Sequence, residues 1–148
     1  MPSKFVIKTY TQNCYYHIYN QGVDKKKIFI DAQDYDTFIR FLSYYLRPPP
    51  IREDLKKEVS FKGVSFKGIP RLNKNYYDEI SLICYCLMPN HFHLIIHQKD
   101  ASSIQSFMRS LATKYSMYFN KRYARSGVLF QGTYKAVIVK DDYFLLHL

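Results

Sequence analysis

Tryptophan is absent from the 148 residues, cysteine occurs three times and glycine only five times. An odd set of cysteines (Cys14, Cys84, Cys86) with no secretory leader at the N-terminus excludes a disulfide-stapled scaffold and predicts reduced thiols. No run approaches the roughly 18 consecutive apolar residues of a membrane helix, so the expectation is a cytoplasmic chain with no membrane partner. Acidic residues are also scarce, 12 against 22 Lys and Arg, which leaves a net charge of +10. Residues 101–140 contain no Asp or Glu at all, yet carry Arg109, Lys114, Lys121, Arg122, Arg125, Lys135 and Lys140. Such an imbalance favours a polyanionic partner, nucleic acid before membrane, because neutralising phosphates releases condensed counterions.

Aromatic rings, by contrast, are abundant: fifteen Tyr and eleven Phe in a chain that is 47% hydrophobic. That composition builds a core without metal or disulfide support, and the length predicts one domain over residues 1–148. Residues 10–20, with Tyr15-Tyr16-His17-Ile18-Tyr19, are aromatic and β-branched and predict a strand, turned at Gln21-Gly22. Residues 34–46 place Tyr35, Phe38, Ile39, Leu42, Tyr45 and Leu46 at helical spacing behind Asp31 and Asp34 as candidate caps, and Pro48-Pro49-Pro50 stops that helix. A basic insertion at about 48–77 follows, with a tandem pentad, Val59-Ser60-Phe61-Lys62-Gly63 then Val64-Ser65-Phe66-Lys67-Gly68, which predicts a short hairpin or a flexible arm.

Strands are predicted at 80–87 and from 91 to about 98, joined by Met88-Pro89-Asn90. Ser102 or Ser103 can then cap a helix whose apolar face is Ile104, Phe107, Met108, Leu111, Tyr115 and Tyr118 and which should end near Arg125-Ser126-Gly127. A last strand at 134–139 precedes a helix beginning at 143–148. Strand, helix, strand, strand, helix, strand is the order of an α+β, ferredoxin-like split βαβ fold: an antiparallel sheet of four to five strands with its helices on one face.

His91 and His93 flank Phe92 at the head of the third strand. Alternate side chains of a strand share a face, so the two imidazoles project together from Cα atoms roughly 6.5 Å apart and can hold one divalent ion. Cys84 and Cys86 share a face of the strand before and read as buried small apolar residues. A zinc site combining them with His91 and His93 is the alternative, although its spacing matches no common zinc pattern.

Pro89-Asn90-His91-Phe92-His93-Leu94 resembles the HUH signature (His, bulky apolar residue, His) of the REP-associated tyrosine transposases, within the single-tyrosine transposase superfamily. The resemblance runs from Tyr15 to Leu148. It is carried further by Tyr115-Ser116-Met117-Tyr118-Phe119-Asn120-Lys121-Arg122 and by Gly127-Val128-Leu129-Phe130-Gln131-Gly132-Thr133-Tyr134-Lys135. Near the start, Asn20-Gln21-Gly22 stands where that family has Asn-Arg-Gly, and the lost arginine removes one phosphate contact. The resemblance implies a protein that cleaves and rejoins hairpin-bearing single-stranded DNA and that can form a homodimer.

On the same grounds His91 and His93 would hold Mg²⁺ or Mn²⁺ as neutral imidazoles, with activity falling below about pH 6. Arg109, Lys114, Lys121, Arg122, Arg125 and Lys135 would meet DNA. The nucleophilic tyrosine is expected on a helix after the fourth strand, in a pattern like Tyr-Ile-His-x-Asn-Pro; the sequence stops at Leu148 before it, which predicts a truncated catalytic helix and leaves Tyr143 as the candidate. The competing expectation is a non-catalytic nucleic-acid-binding module or degraded remnant, stacking bases on Tyr15, Tyr19 and Tyr85.

Overall fold

Alternation of apolar and polar side chains sets the sheet. In β1 (Cys14–Gln21) Tyr16 and Ile18 turn to one face, and in β5 (His91–Gln98) Phe92, Leu94 and Ile96 join them in the core. This computed structural model describes residues 10–50, 57–61, 63–68 and 74–141. With β4 (Ile80–Met88) and β6 (Lys135–Val139) they form a four-stranded sheet in the order β4-β5-β1-β6, every neighbouring pair antiparallel.

Two helices, α1 (Ala32–Leu46) and α2 (Ser103–Arg122), bury Phe38, Leu42, Ile104, Phe107, Leu111 and Tyr115 against that apolar face. Each fully buried side chain of this size contributes about 1.5–3 kcal/mol. The architecture is therefore the α+β, ferredoxin-like one predicted, with four strands in its sheet. No helix among the described residues is long and apolar enough to cross a membrane.

Local chemistry explains where the elements start and stop. Asp31 is the N-cap of α1, its side chain accepting from the Asp34 amide, while Asp34 itself is fully buried. At the other end Arg47, which precedes Pro48, has extended backbone angles (φ −92°, ψ 157°), since a following proline disfavours helical ones. The tandem pentads pair with each other: β2 (Lys57–Phe61) and β3 (Val64–Gly68) form an antiparallel hairpin whose backbone register pairs Ser60 with Ser65 and Phe61 with Val64, and Gly63 takes φ +78° in the turn. Of the two forms predicted for this segment, the hairpin is the one adopted.

Three expectations are corrected. Ser102 is the N-cap residue of α2 by position but makes no side-chain capping bond; Gln98, buried at the end of β5, accepts from the Ile104 amide and donates to the Thr11 carbonyl. The helix ends at Arg122, before Arg125-Ser126-Gly127, because Ala124 already turns to φ 47°. Cys84 and Cys86 are exposed rather than buried, because β4 is an edge strand and nothing described covers its outer face. The helix predicted over 143–148 lies outside the described residues.

Candidate metal and nucleic-acid site

The sheet face opposite the helices carries the chemistry. The β4-β5 and β1-β5 registers set Cys86, His93, Tyr19 and Lys135 in one row across the four strands, since Cys86 pairs with His93, His93 with Tyr19 and Tyr19 with Lys135. The next row on that face runs Cys84, Ile95, His17, Val137. The face therefore presents imidazoles and phenols among small apolar side chains, with one ammonium at its β6 edge.

His91 and His93 come together as the spacing requires, their ring centroids 5.1 Å apart and nearly perpendicular at 87°. Nδ1 of His91 lies 2.6 Å from Oδ1 of Asn90. A carboxamide oxygen only accepts, so Nδ1 carries the proton and the lone pair of neutral His91 resides on Nε2, available to a cation. His93 stacks on Tyr19, centroids 5.7 Å apart, and contacts His17. Burial, then the neighbouring His91, pushes the His93 pKa below its ordinary value; burial, then His93, does the same for His17. Both rings are thus held toward the neutral form, which for His93 is the form a metal ligand requires.

Among the described residues no group of three or more His, Cys, Asp or Glu side chains could hold a metal ion, which leaves the zinc alternative without a ligand set. The pair itself brings two imidazoles together on the open face.

The motifs that were separate in sequence meet at one end of this face. The Gly22 amide donates to the Asn90 carbonyl at 2.9 Å, and the Ile28 and Phe29 amides both donate to the Pro89 carbonyl, so the turn before His91 is clamped by the segment after β1. From the other side Val23 donates to the Leu129 carbonyl, Gln131 to the Gln21 carbonyl, and the Asn20 carboxamide to the Gly132 carbonyl. Gln21, in the position of the missing arginine, reaches Gln131 instead, Nε2 to Oε1 2.8 Å.

The basic residues divide by what they touch. Arg122 is engaged internally, both guanidinium nitrogens pairing with Asp31 and Nη1 with buried Asp34. Arg125 donates to Asn120 and to the Val128 carbonyl. The Lys114 ammonium sits 4.1 Å from the centroid of the Tyr44 ring, close to Phe41 and Tyr45 as well. Arg109 is exposed at the rim of a cavity of about 380 Å³ between α2 and the 130–134 loop, whose lining also includes Asn20, Thr113 and Thr133. Lys121 is exposed, and exposed Lys135 lies over Tyr19, 5.6 Å from the ring centroid.

Tyr15 is exposed on the histidine face, whereas Tyr85, paired with Leu94, lies on the helix side of the sheet and cannot stack a base beside Tyr15 and Tyr19. Tyr143 lies outside the described residues. Sequence reasoning passed over His17. Period-two alternation from Tyr15 and Tyr19 puts it on their face, but only the strand order brings β1 beside β5.

Comparisons with known proteins agree with this fold. Residues 69–146 match the family model described as Transposase IS200 like. No curated protein matches the sequence significantly. Among solved structures, the fold is similar to that of the REP-associated tyrosine transposase bound to a REP hairpin, with a TM-score of 0.55 at 8% identity over 95% of this chain. It is also similar to a transposase-class protein from Deinococcus radiodurans R1, with a TM-score of 0.54 at 13% identity over 95% of this chain and 90% of the other. The chain spans 65% of the length of the REP hairpin-bound protein. With a family match covering more than half of its length and this sheet and helix arrangement, the chain belongs to the IS200-like transposase family.

Proposed function

We propose that this protein binds hairpin-bearing single-stranded DNA on the histidine face of its sheet and positions one strand for metal-assisted cleavage and rejoining. The observation that carries the reading is the His91–His93 pair, side by side on the open face with the Nε2 lone pair of His91 freed by Asn90. Solved proteins of similar fold support it, one of them in complex with a REP hairpin. Mg²⁺ or Mn²⁺ bound there supplies polarisation of the scissile phosphate and charge compensation.

The chain's own residues do the rest. His91 and His93 would hold that ion through Nε2, Tyr19 offers a ring to an unstacked base, and Lys135 at the face's edge meets the backbone. Attack by a tyrosine hydroxyl forms the O–P bond, breaks the bond from phosphorus to the 3′ oxygen, and passes the tyrosine proton to solvent while the departing oxygen gains one. Tyr143, which follows β6 in the sequence, stands only as a candidate for that attack. The reverse reaction rejoins the strand.

The test is Mn²⁺ binding and hairpin binding by the protein and by a variant with His91→Ala and His93→Ala. Loss of Mn²⁺ binding in the variant, with hairpin DNA preferred over duplex, is expected. Equal Mn²⁺ affinity in both proteins removes the metal site and leaves a non-catalytic nucleic-acid-binding module. That second reading is favoured by one observation, the exposed Tyr15 ring beside His97, centroids 4.8 Å apart, a stacking surface that needs no metal.

A further inference from the structure

Nε2 of His17 lies 2.9 Å from Nδ1 of His93, and the two rings are close to parallel at 18°. His17 is buried and His93 half-buried, so the contact is partly withdrawn from water. A neutral imidazole has one N–H and one lone pair, and two neutral rings meeting nitrogen to nitrogen must divide the roles of donor and acceptor.

The two assignments have opposite consequences. If His93 accepts at Nδ1, its proton sits on Nε2 and no lone pair is left for a cation. If His93 donates from Nδ1, its Nε2 lone pair is free. His91 is already in the second condition, because its Nδ1 faces the carboxamide oxygen of Asn90. We infer that His17 is a positioning residue that accepts the Nδ1 proton of His93, as Asn90 accepts that of His91, so that both rings present Nε2 to the same divalent ion. The inference rests on the proposed reading of His91 and His93 as the ligand pair.

It also explains how a buried imidazole stands beside that pair although no three-ligand group is present among the described residues: His17 acts one bond further out, by choosing the tautomer. The sequence supplies the acceptor from a different strand, which is why spacing around His91 and His93 does not reveal it.

The protein without metal or DNA gives the first test. Long-range proton–nitrogen correlation of ¹⁵N-labelled histidines reads which ring nitrogen is protonated, and a proton on Nδ1 of His93 with bare Nε2 is expected. A proton on Nε2 of His93 overturns the inference. That experiment does not require the metal reading to be right, and it uses no variant that could misfold.

The second test is Mn²⁺ affinity, read by electron paramagnetic resonance, of His17→Glu, His17→Gln, His17→Phe and His17→Lys. Glu and Gln can accept from Nδ1 and should hold affinity near that of the unaltered protein. Phe and Lys cannot, and should weaken it about 10- to 100-fold. Uniform loss in all four, Glu included, overturns the inference, as does affinity unchanged in all four. If the unaltered protein binds no Mn²⁺, the proposed function falls instead, while the tautomer measurement still decides what His17 does.

Discussion

Asp34 Oδ1 and Arg122 Nη1 lie 2.6 Å apart, joining the first turn of α1 to the last turn of α2 through a carboxylate that is fully buried. Asp34 also accepts from the Tyr118 hydroxyl at 2.8 Å, the Tyr123 hydroxyl at 2.7 Å and the Ile30 amide at 2.9 Å. Burial pushes its pKa up, but the hydrogen bonds from Tyr123, Ile30, Tyr118 and Arg122 outweigh that and hold the carboxyl below its ordinary value. Asp34 thus stays ionised where an unpaired carboxylate would not.

Removing the acceptor therefore costs more than removing any one donor. Asp34→Ala leaves the Tyr118 and Tyr123 hydroxyls, the Ile30 amide and one arm of Arg122 without their shared partner, and should lower unfolding free energy by about 3 kcal/mol. Arg122→Met leaves Asp34 with three of its donors and should cost less. Urea unfolding of the two variants measures the order, and equal or reversed losses would contradict it.

Acid should weaken the metal-free protein in two stages. The His17 and His93 pKa values are lowered from the ordinary 6.5, so the unfolded chain takes up their protons more readily than the folded one. Their contribution to stability is complete above about pH 6.5 and is lost as pH falls through the folded values. Asp31 and Asp34, lowered from 3.8, contribute fully above about pH 3.8 and lose their share below it. Urea midpoints between pH 8 and pH 5 should fall with pH, and a variant carrying His17→Gln and His93→Gln should show a flatter decline over that range. A midpoint that rises on acidification to pH 5 would contradict the assignment.

Gly22 owes its place to crowding. A Cβ there would stand 2.2 Å from the Lys26 carbonyl oxygen and 2.9 Å from Ile28 Cγ2, while its backbone angles, φ −65° and ψ 148°, suit any residue. Gly22→Ala must push the Lys26 carbonyl away and so loosen the segment that clamps Pro89 and Asn90. A loss of about 1–3 kcal/mol is expected. Metal affinity should drop with it, because Asn90 orients His91; a variant as stable as the parent would refute the crowding argument.

The sheet, both helices and the histidine pair were legible because each is written locally. Phe92, Leu94 and Ile96 alternate with His91, His93 and Ile95, and Ile104, Phe107, Met108 and Leu111 repeat at helical spacing. What was not legible depends on strand order and loop docking. His17 reaches His93 only because β1 lies beside β5, and Gln98 caps α2 only because the chain returns past Thr11. Charge misleads in the same way: Arg122 has the look of a phosphate contact in sequence, yet its partners Asp31 and Asp34 lie about ninety residues earlier.

That division of the basic residues bears on DNA binding. Each phosphate neutralised releases about one counterion, so the slope of log affinity against log salt counts the cations that touch DNA. Lys135 stands over Tyr19 on the histidine face and Arg109 at the cavity rim, both exposed, whereas the Arg122 guanidinium is already paired. Lys135→Gln should reduce the slope by roughly 0.7–0.9 on hairpin-bearing single-stranded DNA, while Arg122→Met should leave it unchanged once the protein is shown to be folded. Fluorescence anisotropy across a salt series measures this, and a slope that falls for Arg122→Met but not for Lys135→Gln would place the DNA on the helix side of the sheet, away from the histidines.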